Sequence, residues 1–324
     1  DLHQMGGVGR RSRAAGLMGA VVGGAGPTTE PFFADVGDVS DRLRATGYLA
    51  DDATATSTFL ADRLGKPLLV EGPAGVGKTE LARAIATATD AELIRLQCYE
   101  GIDEARALYE WNHAKQILHI QATGSRAWEE AKTDIFSDEF LLPRPLLKAI
   151  SREGRTVLLI DEVDKADVDM EGLLLEVLSD FAITIPEMGT VAAARRPVVL
   201  LTSNATRELS EALKRRCLYL YIDFPDAVRE KEILASRVPG LSDALSAELV
   251  RIVGVLRTLD IRKKPSVAET IDWANTLLAL GAGDDGTGPG RTGGLDEGLI
   301  ARTLGVLLKH RPDLKTAFKE LKLG

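Results

Sequence analysis

An open parallel β-sheet between helices, followed by a smaller all-helical domain, is the α/β fold class this 324-residue sequence predicts. Two observations carry it. Short apolar runs at Pro67–Val70, Thr156–Ile160 and Pro197–Leu201 end in polar residues, as parallel strands buried on both faces do. Helical spacing separates these runs, and beyond Pro225 it is the only periodicity left. The expected division is therefore a core over 31–226 and a helical lid over 227–324, with residues 1–30 a disordered or non-native leader.

The first ordered elements are two helices. Val36, Val39, Leu43 and Tyr48 recur at roughly helical spacing, and Ala53–Leu64 continues with the same period. Asp35 and Asp51 stand where N-caps belong. Pro67–Val70 is the first strand, Glu80–Thr89 a helix and Glu92–Gln97 the second strand. Cys98–Ile150 is less regular, with helical character at Ala105–Trp111, Gln116–Gln121 and Trp128–Lys132. A break at Leu141–Leu147 then restarts a helix that ends near Gly154. After the strand Thr156–Ile160 come a helix at Glu171–Phe181, a hairpin formed by Ala182–Pro186 and Gly189–Val191, and strands at Pro197–Thr202 and Cys217–Ile222. The all-helical part holds helices at Ala227–Val238, Ser242–Asp260 and Val267–Leu280. A linker-like insert at 281–294 precedes a last helix from Leu295 to His310, which Pro312 is expected to stop.

Composition narrows the function. A net charge of −8 argues against a dedicated nucleic-acid binder. Cys98 and Cys217 have no C-x-x-C spacing, so no disulfide framework is expected, and a reducing, cytoplasmic setting suits them. His113 and His119 lack ligating companions and read as surface or interface residues. No run of 18 apolar residues exists to span a membrane. Arg10-Arg11-Ser12-Arg13 superficially suggests an export signal, but the glycine-rich stretch after it is weakly apolar.

Candidate chemistry falls in five places. Gly72-Pro73-Ala74-Gly75-Val76-Gly77-Lys78-Thr79 joins a strand to a helix, the context in which G-x-x-x-x-G-K-[ST] cradles phosphates. Its backbone amides turn inward, Lys78 reaches the β- and γ-phosphates and Thr79 holds Mg²⁺. Asp161 and Glu162 emerge at a strand's carboxyl end, the ligand edge of a parallel sheet. Asp161 suits the metal shell, and Glu162 the orientation or deprotonation of water. Asp164 stands where a GTPase D-x-x-G needs glycine, and no N-K-x-D occurs, so ATP is the expected nucleotide. Asn204 ends the next strand and is either a turn residue or a water-holding amide. Lys214-Arg215-Arg216 is either an exposed basic turn or the source of an arginine finger for a neighbouring subunit. Arg262-Lys263-Lys264 is either a solvated loop or a group projecting toward phosphates.

In this order, these motifs resemble those of AAA+ ATPases, over a span from about Phe32 to the C-terminus. Within that superfamily the chain is similar to the MoxR group, in the long segment before the Asp-Glu strand and in the hairpin Ala182–Val191. Gly65–Leu69, Tyr109-Glu110-Trp111-Asn112, Leu174–Glu187 and Ala212–Tyr219 resemble the CoxD-like branch. The resemblance implies a P-loop NTPase core, with Walker A at Gly72–Thr79 and Glu80 beside it on the nucleotide. It implies Walker B at Asp161 and Glu162, sensor 1 at Asn204 and the finger at Arg216 rather than Arg215. It implies ATP and Mg²⁺ as cofactors and a homo-oligomeric ring, a hexamer. The implied work is chaperone-like remodelling of a client, a molybdenum hydroxylase of the carbon monoxide dehydrogenase type, beside a von Willebrand factor A-domain protein. One departure stands out: relatives carry proline-arginine as sensor 2, and here Ser266 follows Pro265. A DNA-acting AAA+ motor and a nucleotide-dependent scaffold with little turnover are the rival functions.

Overall fold

The computed structural model describes residues 30–123, 135–282 and 295–323. The expected leader except Glu30, the helix at Trp128–Lys132 and nearly all of the 281–294 insert lie outside these residues.

Helices α1 (Val36–Ala45) and α2 (Asp52–Leu64) begin as expected, where Asp35 and Asp51 accept from the amides of Asp38 and Thr54. Strand β1 (Leu68–Glu71), α3 (Lys78–Ala88) and β2 (Glu92–Gln97) follow. A small layer comes next: α4 (Glu104–Ala107), β3 (Tyr109–Trp111), α5 (His113–Thr123), β4 (Leu141–Pro143) and α6 (Pro145–Ile150). The core is completed by β5 (Thr156–Asp161), α7 (Val168–Asp180), the hairpin β6 (Ala182–Ile185) and β7 (Gly189–Ala192), β8 (Val198–Ser203), α8 (Glu211–Arg216) and β9 (Leu218–Tyr221).

Five strands form one sheet in the order β2-β5-β8-β1-β9. Every pairing is parallel, and the register sets Gln97 beside Asp161, and Glu71 between Ser203 and Tyr221. The polar ends of the strands therefore meet at a single edge. Strand alternation divides the apolar residues between two faces. Leu68, Val70, Val157, Leu159, Val198 and Leu200 pack with α1, α2 and α3. Leu69, Ile94, Leu158, Ile160, Val199 and Leu201 pack with α6 and α7. With both faces covered, β5 and β8 are buried at every residue.

The helical part follows as α9 (Ala227–Arg237), α10 (Asp243–Thr258), α11 (Val267–Ala279), α12 (Glu297–Thr303) and α13 (Arg311–Glu320). It has its own apolar cluster, centred on Trp273, Leu249, Val253, Leu256 and Leu277. Trp273 is fully buried, and its indole N–H donates to the Thr303 hydroxyl.

Two expectations are corrected. Ala105–Trp111 is not one helix: α4 is a single turn capped by Asp103, and Tyr109–Trp111 pairs antiparallel with Leu141–Pro143. The pairing partner lies so far along the chain that local periodicity carries no sign of it. The last helix does not run to His310. It ends at Thr303 and passes through a 3₁₀ turn at Leu304–Val306, and α13 then starts with Pro312 in its first turn. Proline has no amide to lose there, so the expected stop is a start.

Candidate active site

The loop between β1 and α3 is built on backbone that side chains would obstruct. Gly72 has φ +149, and a Cβ there would lie 1.9 Å from the Ile222 carbonyl oxygen of the adjoining strand end. Gly77 caps α3 without a side-chain hydrogen bond, so the first amides of the helix are not claimed by a capping side chain. Lys78 is buried, and its ammonium donates to the Gly72 and Pro73 carbonyls, both at 2.7 Å, and to Asn204 Oδ1 at 2.8 Å. Burial pulls its pKa below the usual lysine value, against the opposing pull of Asp164, Asp161, Glu162 and Glu71.

Asp161 is 2% exposed and takes donors on both carboxylate oxygens. Oδ1 accepts from Thr79 Oγ1 at 3.0 Å and from Thr202 Oγ1 at 2.5 Å. Oδ2 accepts from Arg95 Nε at 2.9 Å and Nη2 at 2.5 Å. Glu162 takes a left-handed conformation, φ 57, which ends the strand, and its amide donates to the Thr202 hydroxyl at 2.9 Å. Its carboxylate meets Gln97 Nε2 at 2.9 Å, Lys165 Nζ at 2.6 Å and Asn204 Nδ2 at 3.5 Å. Asp164 accepts from the amide and hydroxyl of Thr206. Burial raises its pKa, but these donors outweigh that effect and the carboxyl titrates below its usual range.

A cleft of about 760 Å³ opens beside the loop. Tyr48, Gly75, Gly77 and Glu80 line its core side, and Arg229, Arg237 and Val267 line its helical side. Burial drives the Tyr48 phenol far above its ordinary pKa, with Arg229 opposing. Glu80 is ion-paired across the cleft with Arg237 at 3.0 Å. Ser266 closes the other contact: a Cβ on Gly75 would lie 2.4 Å from the Ser266 Cβ. The Arg262–Lys264 run does not line this cleft. Lys263, in the loop before α11, turns instead to Glu269 in the first turn of that helix at 2.7 Å, and the cations of the helical side that line the cleft are Arg229 and Arg237.

Thus Lys78, Thr79, Asp161, Glu162 and Asn204 form one hydrogen-bonded cluster, while Arg215 and Arg216 do not join it. Both arginines are exposed at the end of α8 with no hydrogen bond or ion pair among the described residues. The donor set fits Mg²⁺, which takes one or two protein oxygens and leaves its other positions to phosphates and water. The Thr79 hydroxyl and Asp161 carboxylate are hard oxygen donors held 3.0 Å apart. Among the described residues no group of three or more His, Cys, Asp or Glu offers a closed metal cage.

Arg95, Gln97 and Thr202 were not singled out from sequence. A signal existed: Arg95 and Gln97 alternate with the buried Ile94 and Leu96 on the strand adjoining Asp161. Thr202 is a hydroxyl in a strand otherwise aliphatic up to Ser203.

Residues 67–217 match the AAA domain of the dynein-related subfamily. Over that stretch the chain is similar to AAA domains. Among curated relatives, the chaperone protein ClpB 1 of Synechocystis sp. is 34% identical over 139 residues, which is 42% of this chain and 13% of that protein. The match thus spans well under two thirds of ClpB 1. The uncharacterized protein SH1500 of Staphylococcus haemolyticus is 28% identical over 238 residues, 71% of this chain and 82% of its own length. A chain from a solved structure titled "Structural Basis for Katanin Self-Assembly" is 21% identical, with 78% of this chain and 71% of that one covered at a TM-score of 0.37. Among the described residues no helix is long and apolar enough to cross a membrane.

Proposed function

We propose that this chain binds ATP with Mg²⁺, hydrolyses it, and uses the resulting movement of the helical lid, residues 227–324, to remodel a partner protein. The observation that carries the reading is the meeting of Lys78, Thr79, Asp161, Glu162 and Asn204 at one sheet edge. In this reading the amides of Gly72, Pro73, Ala74, Gly75, Val76 and Gly77 surround the phosphates, with Glu80 at the cleft wall. The Lys78 ammonium gives up its carbonyl partners for phosphate oxygens. Thr79 and Asp161 hold Mg²⁺, which when bound neutralises charge on the β- and γ-phosphates. Glu162 takes the proton of the attacking water, and Asn204 fixes the distance between Glu162 and Lys78.

Arg216 has no role within its own subunit on this reading. It completes the site of the next subunit in a ring, a hexamer, where a planar cation suits charge developing on the γ-phosphate. The chaperone named among the relatives supports the remodelling half of the proposal. The stretches similar to the MoxR group and its CoxD-like branch point to metalloenzyme maturation in the cytoplasm. The client would be a molybdenum hydroxylase, with a von Willebrand factor A-domain protein as cofactor partner.

Phosphate release by wild type and Glu162→Gln, alongside ATP binding, tests the hydrolytic step. The variant is expected to lose about 10²-fold or more in turnover while binding ATP as wild type does. Equal turnover in the two chains removes the proposal. Arg216→Ala is expected to lose about 10³-fold. Mixing the Arg216→Ala chain with the Glu162→Gln chain should restore part of the activity, because a Glu162 from one and an Arg216 from the other share an interface. No recovery, with assembly intact, means that the arginine does not act between subunits.

A further inference from the structure

We propose that Arg95 is a built-in counter-ion for Asp161 that competes with the divalent cation and ties its arrival to the release of Glu162. The proposal rests on the reading that Asp161 and Thr79 hold Mg²⁺. Three observations lead to it. Asp161 is 2% exposed, and a carboxylate so placed needs a cation or several donors to stay charged. Arg95 supplies both, with Nε at 2.9 Å and Nη2 at 2.5 Å from the same oxygen. Its side chain is 45% exposed, so the guanidinium reaches in from solvent and has room to withdraw.

The second half of the proposal follows from what else Arg95 touches. Its Nη2 also donates to Gln97 Oε1, and Gln97 Nε2 donates to Glu162 Oε2 at 2.9 Å. Asp161, Arg95, Gln97 and Glu162 are therefore linked hand to hand across β2 and β5. Strand alternation sets Arg95 and Gln97 on one face, and the register sets Gln97 directly beside Asp161. Lys165 Nζ donates to the same Glu162 Oε2 at 2.6 Å. In this state an amide and an ammonium share Oε2, which fixes the orientation of the Glu162 carboxylate and keeps it from turning toward a water. A second cation at Asp161 repels Arg95. The retreat of Arg95 removes a partner of Gln97 and loosens its hold on Glu162. The metal site and the base thus share one chain of side chains, and Arg95 is the positioning residue between them.

The test uses the full chain and its melting temperature, with MgCl₂ titrated at saturating ADP, so that no turnover is involved. Arg95→Met keeps the aliphatic stem and removes the charge. It is expected to melt below wild type without metal, and to reach its Mg²⁺ midpoint at a concentration roughly tenfold lower. Arg95→Lys keeps one charge without the paired donors and is expected to fall between the two, which covers the case in which the methionine variant does not fold. Mg²⁺ midpoints equal to wild type in the variant that folds overturn the counter-ion role while leaving the ATPase reading standing. A wild-type chain whose melting responds to neither ADP nor Mg²⁺ overturns both.

Discussion

Gly72→Ala is expected to destabilise the protein by about 3 kcal/mol or more and to abolish nucleotide binding. Overpacking in a well-packed interior costs roughly 1–3 kcal/mol, and a residue other than glycine at positive φ costs a further ~1–3 kcal/mol. Both apply here, because φ is +149 and the added Cβ would sit 1.9 Å from the Ile222 carbonyl. The obstacle is backbone and cannot rotate away. That carbonyl belongs to the residue whose amide donates to Glu71 O at 2.8 Å, extending the β1–β9 pairing. The sheet edge must therefore part, or the loop must leave its path. Gly172→Ala is the control: it lies inside α7 with nothing within 4 Å of an added Cβ, and should stabilise by about 0.5–1 kcal/mol. Urea unfolding of the two variants separates these effects. A Gly72→Ala chain as stable as wild type removes the steric argument.

Glu230→Ala is expected to cost about 3–5 kcal/mol, the penalty for leaving a buried cation unpaired. Glu230 is 1% exposed, and its two oxygens meet Arg257 Nη1 and Nη2 at 2.6 and 2.8 Å. Thr270 Oγ1 donates to the same carboxylate at 3.0 Å, which joins α9, α10 and α11 in one network. Arg257 also donates to the Pro265 carbonyl and stacks on the Phe224 ring at 4.5 Å, so the network reaches the segment that leads out of β9. Removing Glu230 alone strands Arg257. Glu230→Leu with Arg257→Met should recover much of the loss, since neither charge is then buried alone. By contrast, Glu80–Arg237 is exposed on both sides and its removal should cost under about 1 kcal/mol. Thermal unfolding of the single and double variants measures all of this. A double variant no better than Glu230→Ala overturns the account.

The parts of the fold legible in sequence are those where burial dictates residue type. Thr156–Asp161 and Val198–Ser203 are covered on both faces, so their aliphatic runs stand out. Tyr109–Trp111 is part-exposed and three residues long, and it is fixed by pairing rather than by pattern. At the site, the phosphate loop and the Asp161–Glu162 pair were legible because their spacing is local. Arg95 was not, because an arginine in a strand looks like any solvated residue until the neighbouring strand sets Asp161 within reach. Pro312 is ambiguous in sequence because proline marks both the end of one helix and the first turn of the next.

The approach of Gly75 to Ser266 leaves less than a methyl group's room between the loop and the helical domain. Ser266 is the N-cap of α11, bound at both ends of a capping box with Glu269, so it cannot yield without the helix it starts. An outward step of the loop crest by about the size of a methyl group would be taken up as a tilt of α11. The α11–α10–α9 network held by Glu230 would carry that tilt as a unit. A serine in this position acts as a spacer where a longer, charged residue would act as a tether: it transmits push and not pull. The stroke it can drive is therefore an opening, with closure left to other contacts such as Arg237 on Glu80.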